Sequence, residues 1–146
     1  MKKETIAAAA AAIALSGAAG AHEFVCEKTI EGEILHVVDK YPATLHFRII
    51  VTNTHPTDAS TALMVRDDAL ANFLPAVPFS IEAGRSLELD AAITVRSRAE
   101  CVRLSHAPAC NGGIDDVFQV MFDGGLAQCA ARLICTPDDR GEGAAR

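Results

Sequence analysis

A strand–loop–strand pattern between Ala43 and Asp67 constrains the fold of this chain more than any other feature. In its first half, apolar and polar side chains alternate with a period of two residues, which places one apolar set on a single face of an extended strand. That set is Leu45, Phe47, Ile49 and Val51. After a connection rich in turn-forming residues, a second strand with alternating side chains follows. Its core-facing residues lie on one face, and Met64 lies on the other face. Those residues are Thr61, Leu63 and Val65. The stretch therefore predicts two strands, each with one face against a core.

Residues 1–21 have the layout of a secretory signal peptide. Lys2 and Lys3 precede a short apolar run, and residues 19–21 supply the small-x-small pattern of a cleavage site. The run is shorter than the roughly 20 apolar residues that a transmembrane helix needs. We therefore expect a secreted or periplasmic protein that begins at His22 or Ala21 and has no membrane-inserted segment after cleavage.

The rest of the chain predicts a single all-β domain over residues 22–136. A third strand alternates from Leu87 to Val95, and a hairpin with an Asp-Gly-Gly turn follows near the end of the chain. Gly32 interrupts the first extended segment, which indicates a strand that bends or changes its partner sheet. Short strands separated by turn clusters are typical of a β-sandwich, here of about seven strands. One helical turn is expected near 99–104, and the small polar residues of 137–146 predict a disordered tail.

The charge of the chain argues against two classes of partner. The formal net charge is −6, and loss of the predicted signal peptide removes two lysines and one glutamate, which makes the chain one unit more negative. An acidic protein of this kind is not expected to bind nucleic acid or an anionic membrane surface.

Three features occur in succession around the two central strands: Val51-Thr52-Asn53 at the end of the first strand, a proline with small residues after it, and Asp67 closing the next strand. This succession resembles the conserved-repeat, immunoglobulin-like domain of bacterial secreted and surface proteins. The resemblance implies an immunoglobulin-like sandwich that spaces, displays or binds in the bacterial envelope, with no catalytic residues to carry across. The chain departs from such repeats because it is a single short copy and contains cysteines, which favours a free-standing secreted protein over an adhesin stalk.

Five cysteines follow the predicted signal peptide, and disulfides persist in the compartments that exported proteins reach. Immunoglobulin-like topology would make the first and last strands parallel neighbours, which brings Cys26 near Cys129 and leaves Cys101 near Cys135 at the opposite end. We therefore expect these two disulfides and an unpaired Cys110, with a Cys101–Cys110 bridge as the rival pairing. The spacings match neither a redox pair nor a zinc site.

The remaining polar residues offer one alternative function and no catalytic motif. A mature N-terminal His22 could chelate Cu(II) through its α-amino group and imidazole, as in a periplasmic copper-binding protein. The further histidine that such a site needs would come from His36, His46, His55 or His106.

Several polar residues late in the chain are of the kinds found in hydrolytic triads or calcium sites, but their spacing fits neither site. Ser105 and His106 with Asp115 or Asp116 lack the glycines of a nucleophile elbow. Asp115, Asp116 and Asp123 lack the regular spacing of calcium ligands, so we expect loop and turn positions for them. The protein is therefore expected to be non-enzymatic and to hold no cofactor.

A set of apolar residues points away from the predicted core. The set is Met64, Val117, Met121 and Ile134, together with Ala130. If their three strands share a sheet, as in an immunoglobulin-like sandwich, these residues form a strip on its outer face. The strip could bind another envelope or secreted protein, or a loop over 73–79 could bury it.

Overall fold

Two β-sheets face each other across one apolar core, so the chain is an all-β sandwich. The computed structural model describes residues 24–104 and 114–137. The predicted signal peptide, His22, Cys110 and nearly all of the predicted tail lie outside these residues. The strands are β1 (Phe24–Ile30), β2 (Leu35–Val38), β3 (Ala43–Asn53), β4 (Ser60–Arg66), β5 (Phe79–Ile81), β6 (Ser86–Val95), β7 (Ile114–Phe122) and β8 (Gly125–Cys135). A 3-10 turn (Ala71–Phe73) follows β4, and helix α1 (Arg98–Leu104) follows β6.

The strands divide unequally between the sheets. One sheet has the order β1-β3-β6, and the other has the order β2-β8-β7-β4-β5. Neighbouring strands are antiparallel except β2 and β8, which run parallel. The chain passes from one sheet to the other between β1 and β2, where Glu31 and Gly32 adopt positive φ angles of 54° and 79°. The predicted break at Gly32 is therefore a change of sheet, at a position where glycine has no side chain to strain.

The core residues of β3 match the predicted alternation. Leu45, Phe47, Ile49 and Val51 are at most 2% exposed. They face apolar side chains of β7 and β8, including Phe118 and Leu133, which are at most 1% exposed. The prediction of an all-β sandwich is confirmed, and its core lies between β3 of one sheet and β7 and β8 of the other.

Strand β4 does not alternate as the sequence predicts. Ala62 is fully buried and Leu63 is 54% exposed, the reverse of the expected assignment. The pairing of β4 with β7 contains a bulge between Ala62 and Met64, and one extra residue exchanges the inward and outward positions that follow it. Val65 consequently returns toward the core, while Met64 points outward as expected.

Helix α1 is a short segment that contains Cys101, which is bonded to Cys135 of β8. The Ser97 hydroxyl accepts the backbone N–H of Glu100 at 3.2 Å, and the Glu100 carboxylate accepts the N–H of Arg96 at 2.7 Å. These two bonds satisfy free donors at the start of the helix, which explains the helical turn expected near 99–104. In the described part of the chain, no helix has the length and apolar character to cross a membrane.

The bulge in β4 predicts opposite tolerances at two adjacent positions. Ala62→Leu should destabilise the protein by about 1–3 kcal/mol, because added methyl groups cannot fit a closed core. Leu63→Thr should cost less than about 0.5 kcal/mol, because the side chain faces solvent and threonine suits a strand. Urea unfolding of both variants measures the difference. A larger loss for Leu63→Thr would show that the strand follows the simple alternation.

Candidate functional site

The inward side of β1 carries a lysine among apolar residues. Phe24, Cys26 and Ile30 lie on the same side of the strand as Lys28, since side chains two residues apart share a face. Lys28 is only 1% exposed. A lysine is almost never buried to this degree unless its charge is paired, so its partners define the first candidate site.

Two aspartates of the opposite sheet surround the Lys28 ammonium group. Lys28 Nζ lies 2.5 Å from Oδ2 of Asp67 and 2.5 Å from Oδ2 of Asp116. The side chains of Lys28 and Asp67 are fully buried, and that of Asp116 is 6% exposed. Asp67 directly follows β4 and Asp116 lies on β7. This lysine–aspartate cluster therefore joins β1 to two strands across the core.

The two carboxylates have different surroundings. Asp67 Oδ2 accepts a hydrogen bond from Lys28 Nζ, and Asp67 Oδ1 accepts the backbone N–H of Leu70 at 3.1 Å. Oδ2 of Asp116 has the ammonium group beside it but accepts no hydrogen bond of regular geometry. The Phe47 ring lies on another side of the ammonium group, 5.7 Å from Nζ to the ring centroid. Asp67 is thus held at both oxygens, whereas Asp116 interacts with the Lys28 ammonium group and with the Asp67 carboxylate.

The cluster contains one cation and two acids, so full ionisation leaves a buried negative charge. Burial raises the pKa of Asp116, the Lys28 charge lowers it, and the Asp67 carboxylate raises it again. The resulting pKa of Asp116 is about 6, compared with an ordinary value of 3.8. Asp116 therefore holds a proton under mildly acidic conditions, which makes the cluster neutral overall.

Two disulfides lie on either side of this cluster. Cys26 is bonded to Cys129 with a Cα–Cα distance of 5.4 Å, and Cys101 to Cys135 with 6.0 Å. These are the expected pairs, but the reason given for the first was wrong. β1 and β8 belong to opposite sheets, and the parallel neighbour of β8 is β2. The Cys26–Cys129 bond therefore connects the sheets through the core instead of linking neighbours in one sheet.

Three successive inward residues of β1 contact the opposite sheet through three kinds of interaction. The Phe24 ring stacks on the Phe122 ring with 4.1 Å between centroids. Cys26 makes the inter-sheet disulfide, and Lys28 makes the ion pairs. We call this row the β1 tie. It fixes an edge strand of the smaller sheet to the larger sheet along most of its length.

The predicted partner face is divided by polar residues. Met64 and Met121 are 42% and 44% exposed and pair directly across β4 and β7, so the loop over 73–79 does not bury them. Val117 and Ile134 are only half-buried positions on the same outer face. The bonded pair Gln119–Gln128 lies between the methionines and Val117, so the apolar strip is not continuous. On its other side, Met121 pairs with Leu126 of β8, which is 55% exposed.

A polar depression of about 320 Å³ lies beside this face. It is lined by Arg66, Asp68, Asp115, Asp116, Val117, Gln119 and Gln128. Asp116 therefore belongs both to the buried cluster and to the wall of a surface depression.

The described histidines are engaged in local contacts. His46 Nδ1 lies 2.7 Å from Glu31 Oε2, and His36 Nδ1 lies 3.4 Å from Glu33 Oε2. His55 Nδ1 accepts two backbone N–H groups of its own turn. Within residues 24–104 and 114–137, no three acidic, histidine or cysteine side chains are grouped to hold a metal ion. His22 and His106 lie outside those residues, so copper binding stays a prediction.

The sequence interpretation missed the lysine–aspartate cluster because it placed Asp115 and Asp116 in a loop. Both lie on β7, which begins at Ile114, and Asp116 is buried. The alternation of β7 could have identified Asp116 as buried, because Asp116 lies on the same face as the core residues Phe118 and Val120. Lys28 likewise lies on the same face of β1 as Cys26. One charged residue on the core-facing side of each strand indicates a buried ion pair.

Removing the cation should destabilise the fold in a way that depends on pH. Lys28→Met should lower the free energy of unfolding by about 3–5 kcal/mol at pH 7, because two buried carboxylates lose their positive partner. Asp116 already has a folded-state pKa raised from 3.8 to about 6, and loss of Lys28 raises it further. A raised acid pKa makes stability increase as pH falls toward the unfolded value, so the deficit should shrink between pH 7 and about pH 4.

Denaturant unfolding of the variant and the wild-type protein at several pH values checks this result. Lys40→Met is the matched control, because Lys40 is exposed and should affect stability little at any pH. A Lys28→Met deficit that stays constant from pH 7 to about pH 4 would contradict the proposed charge balance of the cluster.

Comparison with known proteins provides no template for this site. No protein-family model, curated protein or solved structure matches the chain. Its function is therefore inferred from the described residues and their contacts.

Proposed function

We propose that this chain is a non-enzymatic, exported, immunoglobulin-like module with a structural or binding role in the bacterial envelope or outside the cell. The observation that supports the proposal most is the β1 tie, in which an aromatic stack, a disulfide and a buried ion cluster hold the two sheets together. A module that works outside the cytoplasm without chaperones benefits from such fixed sheet packing.

Two lines support a location outside the cytoplasm. The two disulfides are of the kind that persists in oxidising compartments. The N-terminal sequence has the charged, apolar and small-residue order of a secretory signal.

The outer face of the larger sheet is the surface we assign to a partner protein. Met64, Met121 and Leu126 form one row across β4, β7 and β8, and each is more than 40% exposed. Exposed apolar rows with a polar surround are typical of protein contact sites. The polar surround here includes the Gln119–Gln128 pair. The partner class is another secreted or envelope protein, since the acidic chain is a poor match for nucleic acid.

Export should be visible in the protein recovered from the periplasm or the medium. We expect an N-terminus at His22 or Ala21, because residues 19–21 supply the cleavage pattern. We also expect one free thiol in the denatured, unreduced chain, since two disulfides use four of its five cysteines. Edman sequencing and thiol titration measure both quantities. An intact N-terminus at Met1 together with five free thiols would contradict export.

Replacing the two methionines should abolish partner binding without unfolding the protein. Met64→Lys with Met121→Lys places two charges where an apolar contact is needed, while both positions stay solvent-exposed in the free protein. The immobilised mature protein should retain one specific envelope or secreted protein from native extract, identified by mass spectrometry, and the double variant should lose it.

The matched control for this experiment is Val25→Lys. Val25 is 45% exposed and lies on β1, in the other sheet, so its substitution should leave partner binding unchanged. Circular dichroism should give the same melting temperature for all three proteins within a few degrees, as expected of surface substitutions. Equal capture by the wild-type protein and the double variant would exclude this face as the partner site.

A further inference from the structure

We propose that Lys28 and Asp116 form an intramolecular amide bond between Nζ and the side-chain carboxyl carbon, with Asp67 transferring the protons. The proposal goes beyond the structural role argued above, since it does not depend on a partner or on the outer face. It rests on the position of Lys28 Nζ, which lies 2.5 Å from an oxygen of each aspartate inside the core.

The fold supplies the proximity that amide formation needs. Lys28 lies on β1 and Asp116 on β7, and both strands are fixed by backbone pairing with neighbouring strands. Groups held in reacting distance behave as if present at very high concentration, because the entropy of bringing them together is already lost on folding. The cluster is also shielded from bulk water, which disfavours hydrolysis of the product.

The surroundings of the two aspartates assign their roles. An amine attacks a neutral carboxylic acid far more readily than a carboxylate, because the carboxylate repels the nucleophile and has no good leaving group. Asp116 is the neutral acid under mildly acidic conditions. Burial and the Asp67 carboxylate raise its pKa to about 6, although the Lys28 charge lowers it. Asp67, bonded to Lys28 Nζ and to the Leu70 N–H, is the carboxylate positioned to accept a proton.

The reaction balances without an oxidant or any other reagent. Asp67 takes one proton from the Lys28 ammonium, and the neutral amine attacks the Asp116 carboxyl carbon to form the new C–N bond. Asp67 returns that proton to the departing hydroxyl, whose C–O bond breaks and which leaves as water. The second proton lost from nitrogen stays on Asp67. The products are a neutral amide, a neutral Asp67 and one water molecule, so the core holds no charge after the reaction.

Intact-mass measurement of the folded mature protein tests the proposal directly. After reduction and alkylation, which open both disulfides, the chain should be lighter than its sequence by the mass of one water. Tryptic digestion should yield a branched product that joins the segment ending at Lys40, uncleaved at Lys28, to the segment 104–132. Chain kept in denaturant from synthesis onward should have the full mass.

The same digest identifies the acceptor. Asp67 falls in the separate tryptic segment 67–85, so attachment of Lys28 to that segment would overturn the assignment of Asp116. A folded wild-type protein of full mass, with free peptides ending at Lys28, would overturn the bond itself.

Two variants and one control separate chemistry from folding. Lys28→Met should give the full mass, and Asp116→Asn should lose ammonia instead of water, because its carboxamide can accept the amine with a different leaving group. Lys40→Met, which removes the other lysine of the mature chain, should still lose water. Loss of water from folded Asp116→Asn would overturn the proposal, since the leaving group would then come from another residue.

Discussion

A single buried cation determines how the two sheets of this sandwich meet. Moving an ammonium group from water into a core costs several kcal/mol, and only close anionic partners offset that cost. Lys28 reaches its partners on β7 and just beyond β4, both in the opposite sheet. The ion cluster therefore fixes β1 against the opposite sheet at the point where Asp67 and Asp116 meet the same nitrogen atom.

The bulge in β4 is part of this arrangement. Before the bulge, Ser60 and Ala62 face inward, and continued alternation would leave Asp67 on the outer face. The extra residue between Ala62 and Met64 shifts the parity, so that Asp67 enters the core where the strand ends. The irregularity thus serves the ion cluster, and it also turns Met64 outward beside Met121. One local departure from regular pairing connects the buried site with the exposed row.

The sequence predicts the regular strands well and the site poorly, for a physical reason. In β3, the inward positions Leu45, Phe47, Ile49 and Val51 are all apolar, so local alternation alone identifies the core face. Which residues of β4 face the core depends on the bulge in its pairing with β7, and the sequence of β4 alone does not show that bulge. Lys28 and Asp116 were missed because a lysine or aspartate is usually solvated, and only the folded topology shows that their charges meet. The two disulfide pairs were predicted from the resemblance to immunoglobulin-like topology, but Cys26–Cys129 joins opposite sheets and not the neighbouring strands that this prediction assumed.

Stability alone does not explain three ionisable residues at the centre of this core. Apolar residues of similar volume often stabilise a fold as well as a buried ion cluster does, or better by about 1–4 kcal/mol. An arrangement with two acids for one base is less favourable still, because it leaves either a net charge or a proton with a perturbed pKa. The same excess acid is what amide formation requires, since one carboxyl accepts the amine and the other transfers protons. Condensation would remove every charge from the core and replace a costly ion cluster by a covalent link. That link would lie next to Cys26–Cys129 but would resist reduction, so the β1 tie would hold in either redox condition.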